Sequence, residues 1–151
     1  SSNLLQYLIL DRGIHDGIER NMPVISGEGL VGRISEVSSN SAKVMLITSP
    51  SSSVGALVQR SRATGIVQGN LQNSLEMHYI QLDADVALGD LVLTSGLGGN
   101  FPKRLVIGQV VKVEHEEVAM FQQATLVPAV NLKDLEVVMV MVSFSTGDLI
   151  E

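Results

Sequence analysis

"LTSGLGGNFPKRLVIGQV", Leu93 to Val110, sets a serine inside a glycine-rich loop and then runs into an apolar segment. Three readings compete for it. Ser95 is a nucleophile, the glycines cradle a phosphate, or the whole piece is a loop joining two strands. The first two make the chain an enzyme or a nucleotide binder; the third makes it a scaffold.

A serine nucleophile needs a base within hydrogen-bond reach and a group that orients the base. The histidines are His15, His78 and His115. His78, Asp83 or Asp85, and Ser95 follow the order used by chymotrypsin-like proteases, but all lie within one hairpin's length. The Gly-Asp pair expected just before the serine is replaced by Leu93 and Thr94. A phosphate loop needs a helix N-terminus after it, whereas here β-branched residues and Pro102 continue the chain as strand. The strand-loop reading therefore stands. It expects special backbone geometry at Gly96, Gly98 and Gly99, a stop at Pro102, and Phe101 either plugging the core or standing out as an anchor, with the plug favoured.

The bulk numbers agree. The 151 residues are 45% hydrophobic and 17% charged, enough apolar material for one domain or two small ones. No window reaches the roughly 18 uncharged apolar residues of a membrane helix, and no basic leader is visible in "SSNLLQYLILDRG". Sixteen acidic residues against ten basic give a net charge of −6, and aromatics total 3%. Nucleic acid is thus not an expected partner, since Arg60, Arg62 and Lys43 make a small patch without stacking rings. Cysteine is absent, which removes thiolate catalysis and Cys-type zinc sites. "EHEE" at Glu114 to Glu117 is the one acidic-histidine cluster, and it reads as a solvated turn because neighbours in extended chain point to opposite faces. No metal and no cofactor is expected.

Apolar segments recur every eight to twelve residues between Gly, Ser, Asn, Asp and Pro, which is an all-β pattern. Expected strands are Leu4–Leu10, Leu30–Val37, Ala42–Ile47, Val54–Gln59, Gly65–Gln68, Leu75–Ile80, Asp90–Thr94, Val106–Val113, Phe121–Val127 and Val137–Val142. "VMLIT" and "VVMVMV" do not alternate and read as covered on both faces. Asn131 in "NLKDL" caps either a single helical turn or a tight turn. Met22–Val37 can be laid beside Asp90–Val113 as a weak internal repeat, with Gly27 matching Gly96 and Gly32 matching Gly108. Two related β units in tandem follow, 1–73 and 74–151, with terminal strands free to pair across the boundary.

Several blocks, in one order, resemble the family of the rod shape-determining protein MreC. "TSGLGGNFP" is similar to that family's signature loop, carried by Thr94, Ser95, Gly96, Gly99, Phe101 and Pro102 with Gly108 beyond. "LDRGIHDGIERNMPVIS" is similar to its Gly-x-x-Asp-Gly turn and Met-Pro-Val segment, carried by Gly13, Asp16, Gly17, Met22, Pro23 and Val24. Asn21 stands where the family usually has glycine, Ser49 where Asp is common, and Arg104 where glycine often follows Phe-Pro-x. The resemblance implies two small six-stranded-barrel-like subdomains, relatives of chymotrypsin-like barrels lacking a catalytic triad, and no enzymatic activity. It also implies an extracytoplasmic, periplasmic region of a protein held in the inner membrane by an N-terminal helix absent from this sequence. The implied role is to organise lateral peptidoglycan synthesis and cell shape. The implied partners are a class B penicillin-binding protein, MreD and MreB through the full-length protein, and further copies of itself as a dimer or filament. The alternative is a serine hydrolase on a two-barrel fold using Ser95; a small carrier-type β domain, suggested by "GDLVLTSG", lacks the hairpin-tip lysine it needs.

Overall fold

The computed structural model describes residues 6–115 and 118–142. Eleven strands run in chain order as β1 (Tyr7–Leu10), β2 (Pro23–Ser26), β3 (Gly29–Val37), β4 (Ala42–Leu46), β5 (Ser53–Val58), β6 (Thr64–Gly69), β7 (Leu75–Gln81), β8 (Leu91–Thr94), β9 (Val106–Glu114), β10 (Phe121–Pro128) and β11 (Met139–Val140). No α-helix occurs among the described residues; one 3₁₀ turn spans Ile14–Asp16. The architecture is all-β, as the sequence pattern expects. β5 to β10 close into a six-stranded barrel in the order β10-β7-β6-β5-β8-β9, and the remaining strands form an open sheet, β1-β4-β3-β2-β11.

Alternation builds both layers. β4 buries Ala42, Val44 and Leu46 while Lys43 and Met45 are half-buried, and β5 buries Val54, Ala56 and Val58 in the same rhythm. These side chains belong to one continuous apolar core with Leu75, Met77, Ile107 and Leu126.

The strands change sheet between Leu46 and Ser53. The boundary expected at 73/74 falls instead in the turn between β6 and β7, both of which belong to the barrel. There Asn70 Oδ1 accepts from the amides of Gln72 (2.9 Å) and Ser74 (3.1 Å), so the stretch expected to separate the two units closes a hairpin. The 3₁₀ turn at Ile14–Asp16 is unexpected, whereas "NLKDL" forms a tight turn in which Lys133 N donates to Asn131 Oδ1 at 3.2 Å. Val137–Val142, expected to be covered on both faces, contributes only the two-residue β11 on the rim of the open sheet, with Val137 75% exposed. An unbroken apolar run has the same sequence pattern in a buried strand and at an unfinished edge.

The internal repeat is real and more detailed than sequence allows. In the open sheet Val24 pairs with Gly32, and in the barrel Val92 pairs with Gly108. Each pairing is followed by the same one-residue bulge, so that Ile25 faces Leu30 and Leu93 faces Val106. A second bulge also recurs: Ile34 faces Val44 and Glu36 faces Lys43, as Val110 faces Leu126 and Lys112 faces Thr125. Bulges re-aim a strand, so two in the same register bend both three-stranded units alike. The structure shifts the expected alignment of the leading strand by one residue. Val24 matches Val92, and Ser26 takes the place of Thr94 instead of Ser95.

Candidate functional site

The loop between β8 and β9 is tied at its neck by Thr94. The Thr94 hydroxyl donates to the Pro102 carbonyl at 2.6 Å and accepts from Leu105 N at 2.9 Å. The Thr94 backbone accepts from Arg104 N (2.9 Å) and donates to Leu105 O (2.8 Å). Thr94 is fully buried, and these bonds satisfy every polar group it carries into the core. Above the neck Gly96 holds φ 79°, in the left-handed region that suits glycine. Phe101 turns inward and is 5% exposed, so it plugs the core, while Leu97 at the tip is 64% exposed.

Ser95 serves the turn. Its amide donates to Gly55 O at 2.9 Å, and its hydroxyl accepts from Leu97 N at 3.1 Å. Two histidines are engaged elsewhere, His15 Nδ1 with Asn40 Oδ1 and His78 Nε2 with Glu76 Oε1, both at 3.1 Å. Exposed His115 follows the end of β9. Among the described residues no histidine is a hydrogen-bond partner of Ser95. The Glu116–Glu117 half of the acidic cluster lies outside the described residues.

The loop folds back over β5 and leaves a groove of about 490 Å³ between itself, β6 and β7, walled by Leu97, Phe101, Ile66 and Tyr79. Sequence reasoning did not find Tyr79. It sits in a bulge of β7, where Gln122 faces Ile80 and Ala124 faces Met77, and it holds φ 64°. A left-handed tyrosine costs roughly 1–2 kcal/mol. The conformation turns its ring outward, 60% exposed, edge-on to Phe121 with centroids 5.6 Å apart at 85°. Of the two Tyr and three Phe in the chain, one of each thus meets at the surface beside the signature loop. The available signal was an aromatic two places after a buried Met in a strand, which is common in any sheet.

Arg60, grouped by sequence with a small basic patch, is committed to carboxylates. Its Nε and Nη2 donate to Asp90 (2.8 and 3.0 Å), and its Nη1 and Nη2 donate to Asp85 (2.7 and 3.0 Å). Asp90 also accepts from Ala87 N at 2.8 Å, so the β5–β6 turn clamps the segment leading into β8. Hydrogen bonds from Arg60 hold both carboxyls below the usual carboxylate range, and its charge adds to this. Lys43 lies on the other sheet, 4.2 Å from the Tyr7 ring centre and 3.8 Å from Glu36. Because the native carboxyl pKa values are depressed, the stabilisation is present above ~4, the ordinary Asp value, and is lost as pH falls through the native values. Arg60→Gln should therefore lower the urea midpoint near pH 7, and the gap to the parent should close in strong acid.

The rod shape-determining protein MreC barrel-core family model matches residues 1–142. The chain belongs to the MreC family. It is similar to the cell shape-determining protein MreC of Listeria monocytogenes, 35% identical over 87% of this chain and 46% of that protein. It therefore spans less than half of that relative's length. Its fold is similar to the crystal structure of MreC from Pseudomonas aeruginosa, with a TM-score of 0.86 at 31% identity, covering 90% of this chain and 88% of that one. A Listeria MreC structure matches at a TM-score of 0.83 and 34% identity, over 89% of this chain and 67% of that one. No helix among the described residues is long and apolar enough to cross a membrane.

The departures from the MreC pattern now have a geometry. Asn21 has φ 75° and Arg104 φ 72°, so both stand where the backbone itself asks for glycine. Asn tolerates that region through its short polar side chain, and here its Oδ1 accepts from Arg33 Nη1 at 2.9 Å. Ser49, in place of Asp, accepts from Ser51 N at 3.2 Å and caps the turn that contains Pro50.

Proposed function

We propose that this chain is a non-enzymatic docking module of the machinery that organises lateral peptidoglycan synthesis and cell shape. It binds a class B penicillin-binding protein and self-associates. In the full-length protein it lies outside the inner membrane, tethered by an upstream helix, with MreD and MreB engaged through the rest of the molecule. The observation that carries this reading is the use made of the signature loop: Ser95 closes a turn and the loop walls an apolar groove beside Tyr79 and Phe121. Exposed aromatics at the rim of a groove are the residue types that dominate binding energy in protein interfaces. A solved complex of the penicillin-binding protein PBP2 with MreC from Helicobacter pylori shares the fold at a TM-score of 0.62 and 22% identity, over 86% of this chain and 73% of that one. That complex lends support from a distant relative.

The test separates touching from chemistry. Tyr79→Gly suits the left-handed backbone, so strain relief offsets the entropy cost of glycine and stability stays within about 1 kcal/mol of the parent. Affinity for the cognate penicillin-binding protein ectodomain should fall about thirtyfold, as for loss of an aromatic hot spot of ~2 kcal/mol. Ser95→Ala should leave that affinity within about threefold, since only a short turn bond is lost. Unchanged binding in Tyr79→Gly rejects the groove. Labelling of Ser95 by a fluorophosphonate probe rejects the non-enzymatic reading in favour of the hydrolase.

A further inference from the structure

The chain crosses between its two sheets from Leu46 to Ser53 and again between β10 and β11. These crossings and the tip of the β6–β7 hairpin wall one pocket of about 290 Å³, which shares no residue with the groove beside Tyr79. Thr48 comes from the first crossing, Asn73 from the hairpin, and Pro128, Val130, Leu132 and Lys133 from the second.

Thr48 is the anomaly. Gly69 lies directly on it, where a Cβ would sit 2.2 Å from the Thr48 carbonyl carbon, and the threonine is only 4% exposed. The hydrogen bonds of its turn pass it by, running from Ser49 N to Leu46 O (3.0 Å) and from Ser51 N to Ser49 Oγ (3.2 Å). Among the described residues the Thr48 hydroxyl bonds to nothing. Yet no side-chain oxygen or nitrogen among them is both sealed and unpartnered. This hydroxyl therefore keeps an opening, and the pocket is the space that Thr48 lines. A buried hydroxyl without a partner is costly, and valine fills the same shape without that cost. The group asks for a partner that enters the pocket.

Two further donors line the same space. Asn70 takes the internal bonds of the hairpin and leaves the Asn73 carboxamide without one, on a residue held at φ 61°. Lys133 is exposed and forms no ion pair among the described residues. Its neighbour Asp134 accepts from Asn131 Nδ2 at 3.0 Å. No acidic side chain lines the pocket, and Pro128 with buried Val130 and Leu132 gives it an apolar floor. Apolar lining with a few polar groups is the make-up of a small-ligand site. A hydroxyl, a carboxamide and an ammonium can all donate, and one carboxylate accepts from several donors at once.

The geometry points to a site here for a carboxylate borne on a small branched apolar group. Thr48 and Asn73 donate to its oxygens, Lys133 opposes its charge, and Val130 and Leu132 hold the apolar part. That chemistry belongs to the end of an apolar peptide or to a free short-chain acid.

Amide cross-peaks of Thr48, Asn73 and Val130–Lys133 in the whole chain, titrated with N-acetyl-alanyl-valine, should shift saturably with a Kd of about 1 mM or tighter. The C-terminal amide of that peptide should bind at least about tenfold more weakly, and so should the free acid to Lys133→Gln. Thr48→Val should bind at least about fivefold more weakly while its urea midpoint stays equal or rises, because the lost hydroxyl held nothing in the fold. Isovalerate binding within about threefold of the peptide identifies a free acid and weaker binding a peptide end; either supports the site. The inference is overturned by the absence of a saturable shift, or by the amide or inorganic phosphate binding as tightly as the acid. Unchanged binding by Thr48→Val overturns it too, as does a lowered midpoint, which would make the threonine structural.

Discussion

Gly108→Val should strongly destabilise the barrel and move its urea midpoint well below that of the parent. A Cβ at this position would lie 2.2 Å from the Val127 carbonyl oxygen of the adjacent strand, so β9 and β10 cannot keep their pairing. Flexible side chains can yield to overpacking; a hydrogen-bonded backbone cannot. The cost is therefore put at about 4 kcal/mol, above the common range for added methylenes, against a domain stability of about 5–15 kcal/mol. Gly32→Val is the matched experiment in the open sheet, with the Met45 carbonyl oxygen 2.0 Å from the added carbon. Gly27→Ala, with nothing within 4 Å, should move the urea midpoint by less than about 0.5 kcal/mol equivalent. Circular dichroism against urea checks all three. A folded Gly108→Val variant with an unchanged midpoint refutes the claim that close backbone approach is why the repeated position is glycine.

Phe101→Ala should cost about 3–4 kcal/mol, as expected for emptying a buried aromatic site. The ring is 5% exposed and belongs to the continuous core, and it also walls the groove beside Tyr79. The two groove residues thus predict different phenotypes. Phe101→Ala loses stability and partner binding together, whereas Tyr79→Gly loses binding alone. A denaturant titration showing a shift below about 1 kcal/mol would place Phe101 outside the folding core and move the plug elsewhere.

The strand content was legible because alternation and turn residues are local signals. β3, β4 and β9 lie within a residue or so of where "GLVGRISEV", "AKVML" and "VIGQVVKV" put them. The turn role of Ser95 was legible too, since the glycines beside it ask for a loop and its hydroxyl accepts from Leu97 N within that loop. Arg60 was not legible. Alone in sequence it is a surface cation, and only the β5–β6 turn brings it within 3 Å of Asp85 and Asp90. Nor was Tyr79, whose left-handed backbone follows from the register of its neighbours and from no property of tyrosine.

The sequence by itself determined an all-β chain, a family, a glycine loop between two strands, and a repeat of two strand units, and it favoured an inward Phe101 over an exposed one. Each of these rests on interactions between residues close along the chain, or on blocks read in order. Tertiary structure alone decided that the strands change sheet between Leu46 and Ser53, that the two units share both bulges, and that β5 to β10 close into a ring while the described strands of the other sheet do not. Those are matters of which edge pairs with which. Backbone hydrogen bonds carry no side-chain label, so pairing is settled only when the whole core packs.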